Sequence, residues 1–164
     1  MKNGFHIIFL CTGNICRSPM AEGILRESLD PRCLSAPTNV SSAGMAAPVG
    51  AAASPNSVTA CAEIGVDIAS HRATQLTPDL ADRADLILAM ELHHLYAARQ
   101  LAPLASEKMH LLSQFAMGGG SPMGVDDPIG GSLDEYRESM QTIKHYVDLA
   151  RPRIEEMILV RMEA

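Results

Sequence analysis

Residues 5–10, Phe-His-Ile-Ile-Phe-Leu, form a nearly unbroken apolar run that mixes β-branched and aromatic side chains, as a strand covered on both faces does. The run ends at Cys11-Thr-Gly-Asn. A helical pattern follows from Ser18-Pro19, with Met20, Ala21, Ile24 and Leu25 on one face. Ser18 is placed to cap that helix, with Pro19 at its first position. Strand, glycine turn and helix together open a βαβ unit, whose connection is right-handed. A weaker strand over 39–42 leads through Ala43-Gly44 into an Ala/Pro/Gly-rich loop over 45–53. Ser54-Pro55 repeats the cap-and-proline signal and predicts a helix to about residue 64, stopped by Gly65.

Leu86, Ile87 and Leu88 mark a third strand over 85–89, and a helix over 91–100 follows it. Residues 108–112 read as a fourth strand, and 113–131 as a long loop rich in glycine and proline, a length that usually signals function. Ser132-Leu-Asp-Glu135 is a capping box for a last helix with Tyr136, Met140, Ile143, Val147 and Ile154 on its apolar face. Pro152 is expected to kink or interrupt it. Alternating strands and helices without a repeat predict one three-layer α/β domain over 1–164, with ligands at the carboxyl ends of the strands. The Cys11 turn lies at such an end.

Composition narrows the class. With 164 residues, 47% of them apolar, the chain can bury a core without disulfides or a structural metal, so its four cysteines are free for chemistry. Thirteen Lys+Arg against nineteen Asp+Glu give a net charge of −6, which argues against an extended nucleic-acid surface but not against one local anion site. The apolar stretch near the N-terminus is too short for a signal-peptide core or a membrane span. A soluble, cytoplasmic protein without membrane attachment is expected.

Cys11-Thr-Gly-Asn-Ile-Cys16-Arg17-Ser18 places a thiol directly after a buried strand, an arginine six positions later, and a helix start behind both. Successive amides in a tight turn form a donor nest, the helix start carries roughly half a positive charge, and Arg17 offers a planar fork of donors. Such a pocket suits phosphate or another tetrahedral oxyanion, and the same groups stabilise a thiolate nucleophile at Cys11. The plainer alternative is a small core cysteine beside a solvated arginine. It leaves the glycine turn and the cap arriving with them unexplained. Asn14 tolerates the left-handed conformation that an inward-pointing amide array needs. The histidines show no metal spacing with cysteines, so neither a metal nor another cofactor is expected.

The stretch Cys-x-Gly-Asn-x-Cys-Arg-Ser-Pro-x-Ala-Glu at 11–22 resembles the signature of the low molecular weight protein tyrosine phosphatases. The resemblance continues through Ser42-Ala43-Gly44, His71 in Ser-His-Arg-Ala, and Asp127-Pro128. It implies a four-stranded parallel sheet flanked by helices, with the phosphate-binding loop (Thr12, Gly13, Asn14, Ile15, Cys16 and Ser18) after the first strand. It also implies Cys11 as nucleophile, Arg17 as phosphate clamp, Ser18 as donor to the thiolate, Asp127 as general acid, and Asn14, Ser42 and His71 as loop support. Cys16 would be the redox partner of Cys11. The substrates implied are phosphorylated proteins, hydrolysed through a phosphocysteine intermediate. Chemistry agrees on the acid, since a phenolate leaves slowly unless a carboxylic acid protonates it.

Aromatic residues that commonly line the cleft in that family are missing here. Met45-Ala-Ala-Pro48 and Ile129-Gly-Gly131 stand in their places, so Ile15, Met45 and Ile129 are expected to give the cleft its apolar contacts. The stretch 127–136 looks more like the bacterial protein arginine phosphatases of the same family, which carry Thr where this chain has Ile15. An apolar wall at Ile15 suits a phenyl ring better than a guanidinium, which ranks phosphotyrosine first and phosphoarginine as the alternative. Two further readings rank lower. An arsenate reductase needs relay cysteines, and 91–100 has none; a non-catalytic phosphate-binding module has no use for Cys11 and Asp127.

Overall fold

Strand β1 (Phe5–Cys11) sends Phe5, Ile7, Phe9 and Cys11 to one buried face and Ile8 and Leu10 to the other. Strand β3 (Leu86–Ala89) alternates in the same way, with Leu86 and Leu88 opposite Ile87 and Ala89. Both strands are therefore covered on two sides, which is why their sequences read as continuous apolar runs. With β2 (Thr38–Gly44) and β4 (Met109–Leu111) they form an all-parallel sheet in the order β2-β1-β3-β4. The computed structural model describes residues 4–35 and 37–164.

Helices α1 (Arg17–Ser28), α2 (Pro31–Ser35), α3 (Pro55–Ala62), α6 (Leu112–Met117) and α7 (Leu133–Glu163) cover the first face. Helices α4 (Pro78–Arg83) and α5 (Leu92–Leu101), with a 3₁₀ turn over Pro103–Lys108, cover the second. The expected three-layer architecture is borne out. Strand order reverses direction between β1 and β3, so the crevice at their carboxyl ends is the expected ligand position in an open α/β sheet.

Several local expectations are corrected. Helix α1 starts at Arg17, with Cys16 rather than Ser18 at the N-cap, so Ser18 and Pro19 occupy the second and third helical positions. Proline is tolerated there because first-turn amides have no intrahelical acceptor. Ser54 does stand at the N-cap of α3, but its hydroxyl bonds the Cys16 thiol at 3.1 Å instead of capping. The helix expected to reach about residue 64 ends at Ala62. Helices α2 and α4 were not anticipated. Residues 113–131 are not all loop, because Leu112 and Phe115 are buried against α7 and hold a short helix there, closed by Gly118 in the left-handed conformation. Pro152 does not interrupt α7. Ile154 and Ile158 beyond it are fully buried, and their packing carries the helix past the missing amide.

Candidate active site

Five residues connect the end of β1 to the start of α1, and Asn14 is the pivot of that turn. Its φ of 55° is the only positive value at a non-glycine among the described residues, the conformation expected from its sequence position. Its side chain is fully buried. Asn14 Nδ2 donates to Ser18 Oγ at 2.8 Å and Ser42 Oγ at 2.9 Å, while Oδ1 accepts from the Thr74 amide at 2.8 Å. Its carbonyl accepts from His71 Nε2 at 2.7 Å, and His71 Nδ1 lies 3.5 Å from Glu22 Oε2. Gly44 passes directly beneath the turn, where a Cβ would come within 2.6 Å of the Thr12 carbonyl. Ser42, His71 and Gly44 thus fix the turn from outside.

The Cys11 sulfur sits inside this turn, 2% exposed. It accepts from the Asn14 amide at 3.3 Å and lies 2.9 Å from Ser18 Oγ. Because Asn14 Nδ2 already donates to Ser18 Oγ, the Ser18 hydroxyl hydrogen is free to point at the sulfur. Both contacts complement a sulfur anion.

Arg17 is 1% exposed. Its Nη1 donates to Glu91 Oε2 and, at 2.7 Å, to the Val125 carbonyl; Nη2 is 3.4 Å from Asp127 Oδ2. Its Nε is buried and has no partner in the protein. An unpaired buried donor costs about 1–3 kcal/mol, and an oxyanion seated over the turn would remove that cost. Asp127 stands across the cleft, about one-third exposed, with Oδ1 accepting from the Ile129 amide at 3.1 Å.

The cleft measures about 250 Å³, with Ile15, Ala46, Pro48 and Ile129 as its apolar wall and Thr12 and Asp127 at its polar side. Met45 is not part of that wall. It lies two residues beyond Ala43, whose side chain faces the second core, and packs partly buried against that same cluster. The second thiol of the turn, Cys16, contacts Ser54 Oγ at 3.1 Å and Tyr136 Oη at 3.4 Å. Burial raises its pKa, outweighing both hydrogen bonds, and the charges of Asp127 and Cys11 add to the rise, so Cys16 holds its proton.

Sequence reasoning missed two residues. Glu91, read only as a helix start, is the N-cap of α5 and the acid paired with Arg17. His94, 1% exposed, accepts from the Glu91 amide through Nδ1 at 3.1 Å and contacts Thr12 Oγ1 through Nε2 at 2.7 Å. The available signal was position, since both follow a buried strand at the carboxyl edge of the sheet. Glu91, His93 and His94 bring possible ligand atoms within 4.8 Å of one another. The Glu91 carboxylate already serves Arg17 and both His94 nitrogens are engaged, so the cluster reads as a brace.

Burial pulls the His94 pKa down to about 3, with the Arg17 and His93 charges adding to the fall and Asp127 opposing it. The unfolded chain therefore takes up this proton near pH 6.5 and the folded chain near pH 3, so His94 removes stability progressively as pH falls through that window. Denaturant titrations from pH 7 to pH 4 are expected to show a steeper loss for the wild type than for His94→Gln. The slope difference should approach about 1.4 kcal/mol per pH unit. Parallel slopes would place the charge elsewhere.

The low molecular weight phosphotyrosine protein phosphatase family profile matches residues 6–155. The chain belongs to this family. It is 38% identical over 148 residues to the probable low molecular weight protein-tyrosine-phosphatase EpsP of Ralstonia nicotianae, covering 90% of this chain and 94% of that one. It is 36% identical over 138 residues to a protein-arginine-phosphatase of Bacillus subtilis, covering 84% and 89%. The structure of the YwlE arginine phosphatase from Geobacillus stearothermophilus superposes with a TM-score of 0.84 at 32% identity, covering 94% and 96%. The low molecular weight phosphatase fold thus accounts for the sheet order and for the position of the Cys11 turn. Among the described residues no helix is long and apolar enough to cross a membrane.

Proposed function

We propose that the protein hydrolyses phosphotyrosine in protein substrates through a phosphocysteine intermediate. The unpaired, buried Nε of Arg17 beside a doubly hydrogen-bonded Cys11 sulfur is the observation that carries this reading. Phosphate oxygens bind the amides of the turn together with Arg17 Nε and Nη2. The Cys11 thiolate attacks phosphorus in line while Asp127 protonates the departing phenolic oxygen. Asp127 then takes a proton from the water that attacks the phosphocysteine, releasing inorganic phosphate and the thiolate. No cofactor is required. The redox role of Cys16 requires its thiol to leave Ser54 and Tyr136 before it can trap an oxidised Cys11 as a disulfide. All four cysteines are free thiols, which suits a reducing cytoplasm. Cys33 and Cys61 are fully buried in the core, which counts against a thiol relay of the arsenate reductase kind.

Phosphoarginine is the second reading, favoured by the protein-arginine-phosphatase relatives. Ile15 supports phosphotyrosine, because it lines the cleft and offers a ring an apolar face where a hydroxyl would hydrogen-bond a guanidinium. Steady-state assays on matched phosphotyrosine and phosphoarginine peptides should show a higher kcat/KM for phosphotyrosine, and Ile15→Thr should shift the ratio toward phosphoarginine by about tenfold or less, the usual range for one pocket contact. A wild type that prefers phosphoarginine would reverse the assignment.

A further inference from the structure

The tautomer of His94 is set by the backbone. Its Nδ1 faces the Glu91 amide, which can only donate, so Nδ1 is the acceptor and the neutral ring carries its hydrogen on Nε2. That hydrogen points at Thr12 Oγ1, 2.7 Å away. Thr12 must therefore accept from His94, and its own hydroxyl hydrogen has to point elsewhere. The Thr12 main chain is pinned by the Ala46 amide donating to its carbonyl at 2.8 Å, and its exposed side chain lines the cleft. The hydrogen is thereby left available to a group bound in the cleft. Thr12 and Asp127 line the same cleft, and Arg17 ties their supports together: its Nη1 bonds Glu91, whose amide holds His94, while its Nη2 is 3.4 Å from Asp127 Oδ2, so the Thr12–His94 pair stands on the acid's side.

We infer that Thr12 is a preset hydrogen-bond donor to the oxygen in line with Cys11, with His94 as its positioning residue. This rests on the phosphomonoester reading above. In the first step that oxygen is the departing ester oxygen, which gathers negative charge as its bond to phosphorus breaks. In the second it is the oxygen of the incoming water, which gives a proton to Asp127 and accepts from Thr12. Microscopic reversibility puts both oxygens in the same place. One donor therefore serves both steps: it offsets charge in the first and orients a nucleophile in the second. The helix start that holds Arg17 through the Glu91 side chain holds Thr12 through the Glu91 amide and His94. Clamp and donor thus share one rigid support.

The test compares Thr12→Val, Thr12→Ser and His94→Gln with the wild type on phenyl phosphate and p-nitrophenyl phosphate, together with inhibition by benzylphosphonate, whose carbon takes the in-line position. Thr12→Val keeps the shape and removes the hydroxyl. It should lower kcat/KM for phenyl phosphate about tenfold, less than the roughly 10²-fold or more for an enclosed oxyanion donor, because Thr12 is exposed. The loss should be smaller for p-nitrophenyl phosphate, whose leaving group needs less help. Thr12→Ser should restore most of the activity, His94→Gln should show the same leaving-group pattern at reduced size, and the inhibition constant of benzylphosphonate, which has no in-line oxygen, should stay within about twofold. Turnover by Thr12→Val equal to wild type on both esters would overturn the inference. So would a benzylphosphonate inhibition constant that rises in step with the loss, since Thr12 would then serve the phosphate loop. A wild type inactive on both esters would instead refute the proposed function, which keeps the two failures apart.

Discussion

Cys11→Ser is expected to abolish turnover of p-nitrophenyl phosphate, a fall of about 10⁴-fold or more, corresponding to roughly 5.5 kcal/mol of barrier. The substitution changes one buried atom. Two hydrogen-bond donors can complement a thiolate, but they do not ionise an aliphatic hydroxyl at neutral pH. Binding should survive, because Arg17 Nε, Arg17 Nη2 and the amides of the turn are untouched. Calorimetry with inorganic phosphate is expected to give wild-type affinity within a few fold. Undiminished turnover in this variant would remove Cys11 from the chemistry and leave a module that only binds phosphate. Recovery of a phosphorylated Cys11 after acid quench of the wild type would exclude that module directly.

Asp127→Asn is expected to lower kcat for phenyl phosphate by about 10²–10³-fold, within the range for loss of one positioned acid. The loss should be much smaller for p-nitrophenyl phosphate, since a nitrophenolate departs without a proton. That contrast distinguishes an acid from a structural residue, because damage to the turn would slow both substrates alike. Losing the carboxylate also takes the ion-pair partner at 3.4 Å from Arg17 Nη2, so phosphate binding should hold or tighten. Equal losses on the two esters would move the acid to another residue.

Much of this site was legible because it is contiguous in the chain. Cys11 to Ser18 form one strand-to-helix turn, and the need for a left-handed residue at Asn14 follows from the turn itself. Asp127 was recognisable beside Pro128 once a cysteine nucleophile demanded an acid. The central strands were equally plain, since burial on two faces leaves little room for polar residues in β1 and β3. What was hidden depends on contacts between distant segments. Glu91 is 74 positions from Arg17, and an acid at a helix start reads as a cap whether or not a guanidinium lies across from it. Ser18 looked like a cap because capping is what serine does before a helix, whereas Asn14 and Cys11 claim its hydroxyl. Met45 looked like cleft lining because the loop's direction is set by pairing between Gln75 and its backbone, which no local pattern announces. Helix α6 has no N-terminal side-chain cap and depends on burial against α7, a tertiary contact, while Thr77-Pro78 carries the cap-and-proline signal for α4.

Val125 joins the two halves of the site: its carbonyl takes Arg17 Nη1, and its amide donates to the Met90 carbonyl at 2.9 Å, just past the end of β3. Asp127 therefore follows, by two residues, a point anchored through the Val125 main chain and its buried side chain, and Ser139 Oγ donates to the Asp126 carbonyl at 3.2 Å between them. Upstream, residues 118–124 are largely solvent-facing and include three glycines in succession at positive φ. Insertions or deletions there can be absorbed before the anchor is reached. The length of this segment, and what its outer surface presents to a protein substrate, can thus vary while the Asp127 carboxylate stays in the cleft with the sulfur.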